Sequence, residues 1–215
     1  MSAAELLLTA CVVVSALATA AARAAERTKA VYLFKPLTPL LILLLSTVVH
    51  EPISRFYQTA VAIRLAFSIA GDAFLMLPRT PRRMLLGGTC FLVAHLVYMP
   101  ALATMAGLQI SPVLVAPFAL YAGVWIAALW RRVPAQLRVP IAVYSVVLAS
   151  TGWLAAEQLV QLPDLRTALV FAAMILFIVS DSVLAFDRFV KHSIGLEPLV
   201  LILYFAAQLL TALTV

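Results

Sequence analysis

The sequence predicts an all-α, polytopic membrane bundle of about eight transmembrane helices. Three observations carry this reading. Of the 215 residues, 65% are apolar and only 11% are charged, with a mean hydropathy of +1.09. A soluble domain of this length cannot hide so much apolar surface, because roughly a quarter of an ordinary chain is charged. The apolar residues also fall into runs of the length that a bilayer requires, about 20 residues each. Finally, the alternation of a barrel strand is missing and an open sheet edge cannot face lipid, which leaves helices.

The spans follow in order at roughly 6–22, 36–49, 59–77, 84–105, 112–130, 139–161, 165–187 and 196–214. The first ends in small residues, "ATAAARA", as a signal peptide would. Glu5 precedes it and no basic residue does, so it reads as a retained helix. The second is short, and is expected to extend toward Ser54 or to meet a thinned bilayer. Prolines mark the boundaries: Pro36, Pro52, Pro78, Pro81, Pro112, Pro134, Pro140, Pro163 and Pro198. Such residues suit a first helical turn or the loop before it. Residues 1–215 are read as a single integral membrane domain.

The net charge of +6 invites a nucleic-acid partner, but its distribution argues against one. Lys and Arg cluster in alternate loops: Arg23, Arg27, Lys29 and Lys35, then Arg79, Arg82 and Arg83, then Arg131, Arg132 and Arg138, then Arg188 and Lys191. Only Arg55, Arg64 and Arg166 lie elsewhere. The basic loops should be cytoplasmic, so both termini should face outside. The excess of Arg over Lys and the abundant Ala suit a bacterial plasma membrane protein. Cys11 and Cys90 sit inside apolar runs, where a thiol acts as a small hydrophobe. No disulfide framework or zinc-type cysteine motif is present.

Against this background two carboxyl groups stand out. Asp72 lies in "RLAFSIAGDAFLMLP" and Asp181 in "FIVSDSVLAFDRF". Each is about five or six residues from the cytoplasmic end of its helix, hence roughly 8 Å inside the same face. His95 and Tyr98, three apart, and Tyr204 and Gln208, four apart, enter from that same side. Arg64, Ser68 and Asp72 share one stripe, and Glu197 roughly joins the Tyr204 face at the membrane edge. A shift of 109 positions carries Asp72 onto Asp181 and His95 onto Tyr204. That is the pattern of two parallel four-helix repeats, although the matching stretch is short.

An ionised side chain near the bilayer centre costs about 2.5–3.5 kcal/mol on insertion scales. The bland alternative gives Asp72 and Asp181 hydrogen bonds to Arg64, Ser68, Ser180 or tyrosine. Polar contacts between membrane helices return only about 0.6 kcal/mol on average. That return is too small to explain two acids, so function is the better account. His95 is equally compatible with a packing role. His50 and His192 fall in loops on opposite sides, and no set of three strong ligands lies on neighbouring turns, so neither metal nor other cofactor is expected. Asp187 beside Arg188 reads as an interfacial charge, and Trp125, Trp130 and Trp153 as packing or headgroup-belt residues. No nucleophile elbow, P-loop or dinucleotide fingerprint occurs.

The sequence resembles the YhhN-like lysoplasmalogenase family of multispanning membrane proteins. The resemblance runs through "FKP" at 34–36, "FSIAGDAFLML" at 67–77, "FLVAHLVYMPA" at 91–101, "FIVSDSVLAFDRF" at 177–189 and "LYFAAQLL" at 203–210. The first helix and residues 106–140 carry no family signature. The resemblance implies a hydrolase that splits the vinyl ether bond of lysoplasmalogens into a fatty aldehyde and glycerophosphocholine or glycerophosphoethanolamine. It also implies that Lys35, Asp72, His95, Tyr98, Asp181, Tyr204 and Gln208 surround the active site.

The chemistry is compatible with the residues. A vinyl ether is cleaved by protonating its β-carbon, which leaves an oxocarbenium ion that water captures; the hemiacetal then collapses. A proton donor held close and a nearby negative charge serve the two needs, as in glycoside hydrolysis. Either Asp72 or Asp181 is the expected acid, with the other its ionised partner, and His95 the third catalytic candidate. Tyr98, Tyr204, Gln208 and Ser68 line the expected substrate site, with Lys35, Arg82 and Arg83 available for a lipid phosphate. The expected partners are a lysophospholipid substrate and membrane lipid; no feature specifies an oligomeric state. Two rivals remain open: a proton-coupled small-molecule or lipid transporter, since intramembrane acids also relay protons, and a metal-dependent intramembrane lipid amide or ester hydrolase.

Overall fold

Local signals start most of the helices. In the computed structural model, which describes residues 2–49, 52–77, 80–106, 110–191, 193 and 195–215, Ser2 and Glu5 form a capping box ahead of the first helix. Asp164 and Thr167 do the same ahead of the seventh. Ser54 caps the third, and Pro81 and Pro112 open the fourth and fifth at a position that needs no N–H donor. The elements are α1 (Ala3–Ala24), α2 (Thr28–Val48), α3 (Arg55–Met76), α4 (Pro81–Ala106), α5 (Pro112–Trp130), α6 (Ala135–Gln161), α7 (Leu165–Phe189) and α8 (Leu196–Leu213). Each is long and apolar enough to cross a membrane, and the described residues include no strand. The chain is an integral membrane protein.

One boundary differs from expectation. The second span does not grow toward Ser54; it ends at Val48 and begins at Thr28, so Pro36 and Pro39 lie inside α2. Pro140 likewise lies inside α6. A proline cannot donate to the carbonyl four residues back, so Pro36 and Pro39 release the carbonyls of Tyr32 and Lys35 from the ladder. Neighbouring helices and hydroxyls make this tolerable in a membrane. Here Thr38 donates to the Phe34 carbonyl at 3.0 Å and pairs with Ser15 of α1 at 2.8 Å. His50, Pro78, Arg79 and His192, which figured in the boundary, charge and metal arguments, lie outside the described residues.

Packing closes six helices into a ring: α2 touches α3, α3 touches α4, α4 touches α6, α6 touches α7, α7 touches α8, and α8 returns to α2. The remaining two are peripheral. α1 lies against α2 and α8, whereas α5 lies against α6 and buries only Ala122 and Leu129. α3 and α4 approach closely because each presents a glycine at the crossing. A Cβ on Gly71 would stand 3.2 Å from the Gly87 carbonyl oxygen, and one on Gly87 would stand 3.2 Å from that of Gly71.

The halves follow one another at offsets between 107 positions, for Thr28 of α2 and Ala135 of α6, and 115, for Pro81 of α4 and Leu196 of α8. Ala3 and Pro112, which open α1 and α5, are 109 positions apart, and Arg55 and Leu165, which open α3 and α7, are 110 apart. In this correspondence the ring maps onto itself, with α2, α3 and α4 standing for α6, α7 and α8, and peripheral α1 standing for peripheral α5.

Candidate active site

The C-terminal halves of α3 and α7 carry an acid each, Asp72 about one turn and Asp181 about two turns before the helix end, and the ring turns both toward its interior at one end. There it encloses a cavity of about 710 Å³, lined by Asp72, Asp181, Lys35, Tyr144 and Tyr204 among mainly apolar side chains. That size and mixture suit a small-molecule or lipid site.

Asp72 is buried beside Gly71, at the close crossing of α3 with α4. Its Oδ2 accepts the Tyr204 hydroxyl of α8 at 2.7 Å, and Gln208 Nε2, one turn on, donates to the Tyr204 oxygen at 3.1 Å. Gln208 Oε1 in turn accepts Arg64 Nη1 at 2.8 Å. Asp181 is half-buried and accepts the hydroxyl of Tyr144 from α6. Next to it, the Tyr121 and Ser182 hydroxyls are 2.9 Å apart. The two carboxyl groups lie within electrostatic reach of one another, and Lys35 lies within reach of Asp72. Two acids thus share one cavity, each held by a tyrosine from a different helix and each within reach of a cation, Lys35 for Asp72 and Arg188 for Asp181. Such an arrangement can hold one carboxyl ionised and the other protonated.

Of the residues singled out from sequence, Asp72, Asp181, Lys35 and Tyr204 line this cavity. Gln208 stands directly behind Tyr204. His95 does not reach the cavity surface: its buried ring packs edge-on against Phe177 at 4.8 Å and Tyr144 at 6.1 Å, and neither ring nitrogen has a hydrogen-bond partner among the described residues. It therefore stands behind Tyr144, not in front of it. Tyr98 lies deeper, bonded to the Tyr57 hydroxyl at 2.8 Å, which also meets Thr214 at 2.8 Å. Ser68 donates to the Arg64 carbonyl of its own helix at 3.0 Å and is buried away from the cavity. Arg82 and Arg83 lie in the first turn of α4 and are not lining residues; the basic side chains at the rim are Arg23, Lys35 and Arg188. Arg23 is ion-paired with Glu197, which ties α1 to α8 there.

Three contributors escaped the sequence reading. Tyr144 looks like any aromatic in an apolar span until α6 is seen to face α7, but one signal existed. The 109-residue shift that relates the acids carries Lys35 onto Tyr144. Tyr121 and the Arg23–Glu197 pair have no such signal. Asp187, read as an interfacial charge, is buried at the rim, where it accepts the Ser193 backbone N–H at 2.8 Å. Among the described residues no group of three His, Cys, Asp or Glu side chains is placed to hold a metal ion.

Comparison with known proteins gives two matches. The profile of the YhhN family matches residues 30–215, which takes in 106–140 and leaves out α1. A Bos taurus protein named lysoplasmalogenase TMEM86A is 30% identical over 160 residues, or 73% of this chain. The matched region spans 65% of that relative's length. No solved structure matches the chain.

Proposed function

This chain belongs to the YhhN family, and from that premise we propose that it is a hydrolase of the vinyl ether bond in lysoplasmalogens. The observation that carries the reading is the pair of acids, Asp72 and Asp181, facing one lipid-sized cavity within the bundle. The name of the bovine relative supports the same substrate class.

Both acids accept a tyrosine hydroxyl and lie within reach of a cation. The charge of Lys35 weighs more on Asp72 than its tyrosine bond does, whereas that of Arg188 weighs less on Asp181 than its own, which favours Asp72 as the carboxylate. Asp181 is then the proton donor. Its proton goes to the β-carbon of the vinyl ether, and the double-bond electrons form the new C–H bond. The adjacent carbon becomes an oxocarbenium ion, stabilised by ionised Asp72. Water adds to that carbon and loses a proton to a carboxylate. The hemiacetal breaks its bond to the glycerol oxygen, which leaves protonated, and a fatty aldehyde remains. Tyr144 and Tyr204 orient the two carboxyl groups, Gln208 holds Tyr204 from behind, and Lys35 and the Arg23 and Arg188 rim receive the lipid phosphate. His95 supports Tyr144 by packing. With the basic loops in the cytoplasm, the cavity mouth opens to the cell interior.

The test offers the purified protein vinyl ether, alkyl ether and acyl lysophospholipids of one headgroup and follows products by mass spectrometry. Aldehyde should come from the vinyl ether alone. In D2O it should carry one deuterium on the carbon next to the carbonyl. Asp72→Asn and Asp181→Asn, folded as the parent, should each lose about 100-fold or more in turnover. Uptake of lipid into sealed vesicles with no aldehyde formed would instead favour a carrier.

A further inference from the structure

The cavity has two unlike sides. Arg23, Lys35, Asp187, Arg188 and Glu197 edge it where α1, α2, α7 and α8 meet. Across from them, α4 and α6 contribute a wall of Leu85, Gly88, Thr89, Leu92, Val139 and Val143. Leu85, Val139 and Val143 are 39%, 63% and 45% exposed although they lie within membrane-spanning helices. They therefore line the cavity and also meet the surrounding hydrocarbon.

Spacing makes this wall continuous. Leu85, Gly88, Thr89 and Leu92 fall at i, i+3, i+4 and i+7 on one helix face, and Val139 and Val143 at i and i+4. Counted from the ends of their helices, Leu85 and Val139 lie roughly 6 Å inside the bundle, a depth similar to that of Asp72. Gly88 is where the wall carries no side-chain bulk. A Cβ there would meet nothing within 4 Å, whereas one on its neighbour Gly87 would stand 2.7 Å from Leu75. Gly87 is thus a packing glycine and Gly88 is open space.

We infer that the α4–α6 wall is the seat of the substrate's single hydrocarbon chain, which passes Gly88 and runs between Leu85 and Val139 into the bilayer, and that Gly88 sets how much chain is admitted. This rests on the reading of the cavity as a lysophospholipid site. The occupant follows from the sequence of surfaces. A single-chain phospholipid presents a charged headgroup, then a glycerol linkage, then a hydrocarbon tail. The cavity presents a charged rim, then two carboxyl groups, then an apolar wall open to lipid. Because hydrocarbon gains nothing by leaving one apolar surface for another in the membrane, selection at the wall is steric.

Trp125 of α5 lines the same cavity and offers a probe. With Trp130→Phe and Trp153→Phe in place, its fluorescence is titrated with lysophosphatidylcholine brominated along the chain, in nanodiscs. The expected result is saturable quenching, reversed by the unbrominated lipid. Gly88→Phe should weaken that binding about tenfold or more for long chains, because added bulk in a filled site forces a shift. The loss should shrink as the chain shortens. Val139→Phe, on the opposite side of the wall, should act in the same direction. Gly123→Leu, at another open glycine and outside the cavity lining, should leave the titration unchanged. Unchanged long-chain binding in folded Gly88→Phe and Val139→Phe, or quenching that never saturates, would overturn the inference. The readout is binding, so intact, Gly88-dependent quenching without aldehyde release would refute the hydrolase and leave the chain seat standing.

Discussion

The Tyr204 hydroxyl of α8 donates to the Asp72 carboxylate of α3 at 2.7 Å, across a chain separation of 132 residues. Tyr144 of α6 does the same for Asp181 of α7. These two bonds look alike but serve different charge states if Asp72 is the carboxylate and Asp181 the acid. A hydrogen bond to an ionised group contributes about 1.5–3 kcal/mol, one between neutral groups about 0.5–1.5.

Removing the hydroxyls should therefore be unequal. Tyr204→Phe should lower kcat by about tenfold or more, and Tyr144→Phe by about twofold to tenfold. Single-turnover kinetics on both variants, with folding checked by thermal melting, decides the matter. The opposite ranking would exchange the roles of Asp72 and Asp181.

The α3–α4 crossing predicts a contrast between adjacent glycines. Gly71→Ala places a methyl 2.7 Å from the Phe91 ring and 3.2 Å from the Gly87 carbonyl oxygen. Gly87→Ala meets the Leu75 side chain at 2.7 Å. Each methyl also stands 3.2 Å from the facing glycine's carbonyl oxygen, so the difference lies in the side chain met. The rigid, buried Phe91 ring gives way less easily than the end of Leu75, and Gly71→Ala should destabilise by about 1–3 kcal/mol and Gly87→Ala by less. Gly88→Ala should gain up to about 1 kcal/mol from helix propensity. Thermal unfolding in detergent would check all three, and a Gly71→Ala protein as stable as the parent would contradict the close crossing.

What could be read from the sequence divides along a physical line. Depth along a helix is set by counting residues, so it was legible that Asp72 and Asp181 lie toward one end of the bundle, where they line one cavity. Rotation about the helix axis was not, because α4 and α6 are apolar nearly all round and give no strong amphipathic direction. Hence His95 was placed at the right depth yet stands behind Tyr144, and Tyr144 itself went unnoticed. The start of α2 was missed because Pro36 reads as a boundary in water-soluble helices, whereas Thr38 and α1 support the helix around it here. Eight spans were legible because hydropathy depends on composition alone.

The helix cap at the opposite end predicts a pH effect. Asp164 Oδ1 accepts the Thr167 backbone N–H at 2.8 Å, and that bond, followed by the one from the Thr167 hydroxyl, holds its carboxyl below the usual carboxylate range. A depressed folded value means that the cap stabilises above the unfolded value of about 3.9 and is lost as pH falls through the folded one. Protection factors of the Arg166–Ala168 amides should therefore fall below about pH 4 in the parent. Asp164→Asn, which caps without a charge, should remove that dependence. Equal pH profiles for the two proteins would show that the carboxylate does not hold the turn.

Arg64 sets the sharpest stability test. Its guanidinium is buried in the ring, donates to Gln208 at 2.8 Å, and lies 4.9 Å from the Tyr98 ring centroid and 5.4 Å from that of Phe177. The aromatic faces attract the cation but accept no conventional hydrogen bond, so Gln208 is its one side-chain acceptor among the described residues. Removing the acceptor while keeping the charge is worse than removing both, because the charge stays buried with less compensation. Gln208→Met should therefore destabilise by about 3 kcal/mol or more, and Arg64→Met by less. The double variant should lie close to Arg64→Met alone, giving a coupling of about 3 kcal/mol in the mutant cycle, the whole cost of Gln208→Met. Arg64→Lys should not rescue, since an ammonium cannot lie flat against Tyr98 and reach Gln208 together. Strict additivity of Arg64→Met and Gln208→Met in thermal or chemical unfolding would mean that the contact carries no energy, and that Arg64 is held by its aromatic neighbours alone.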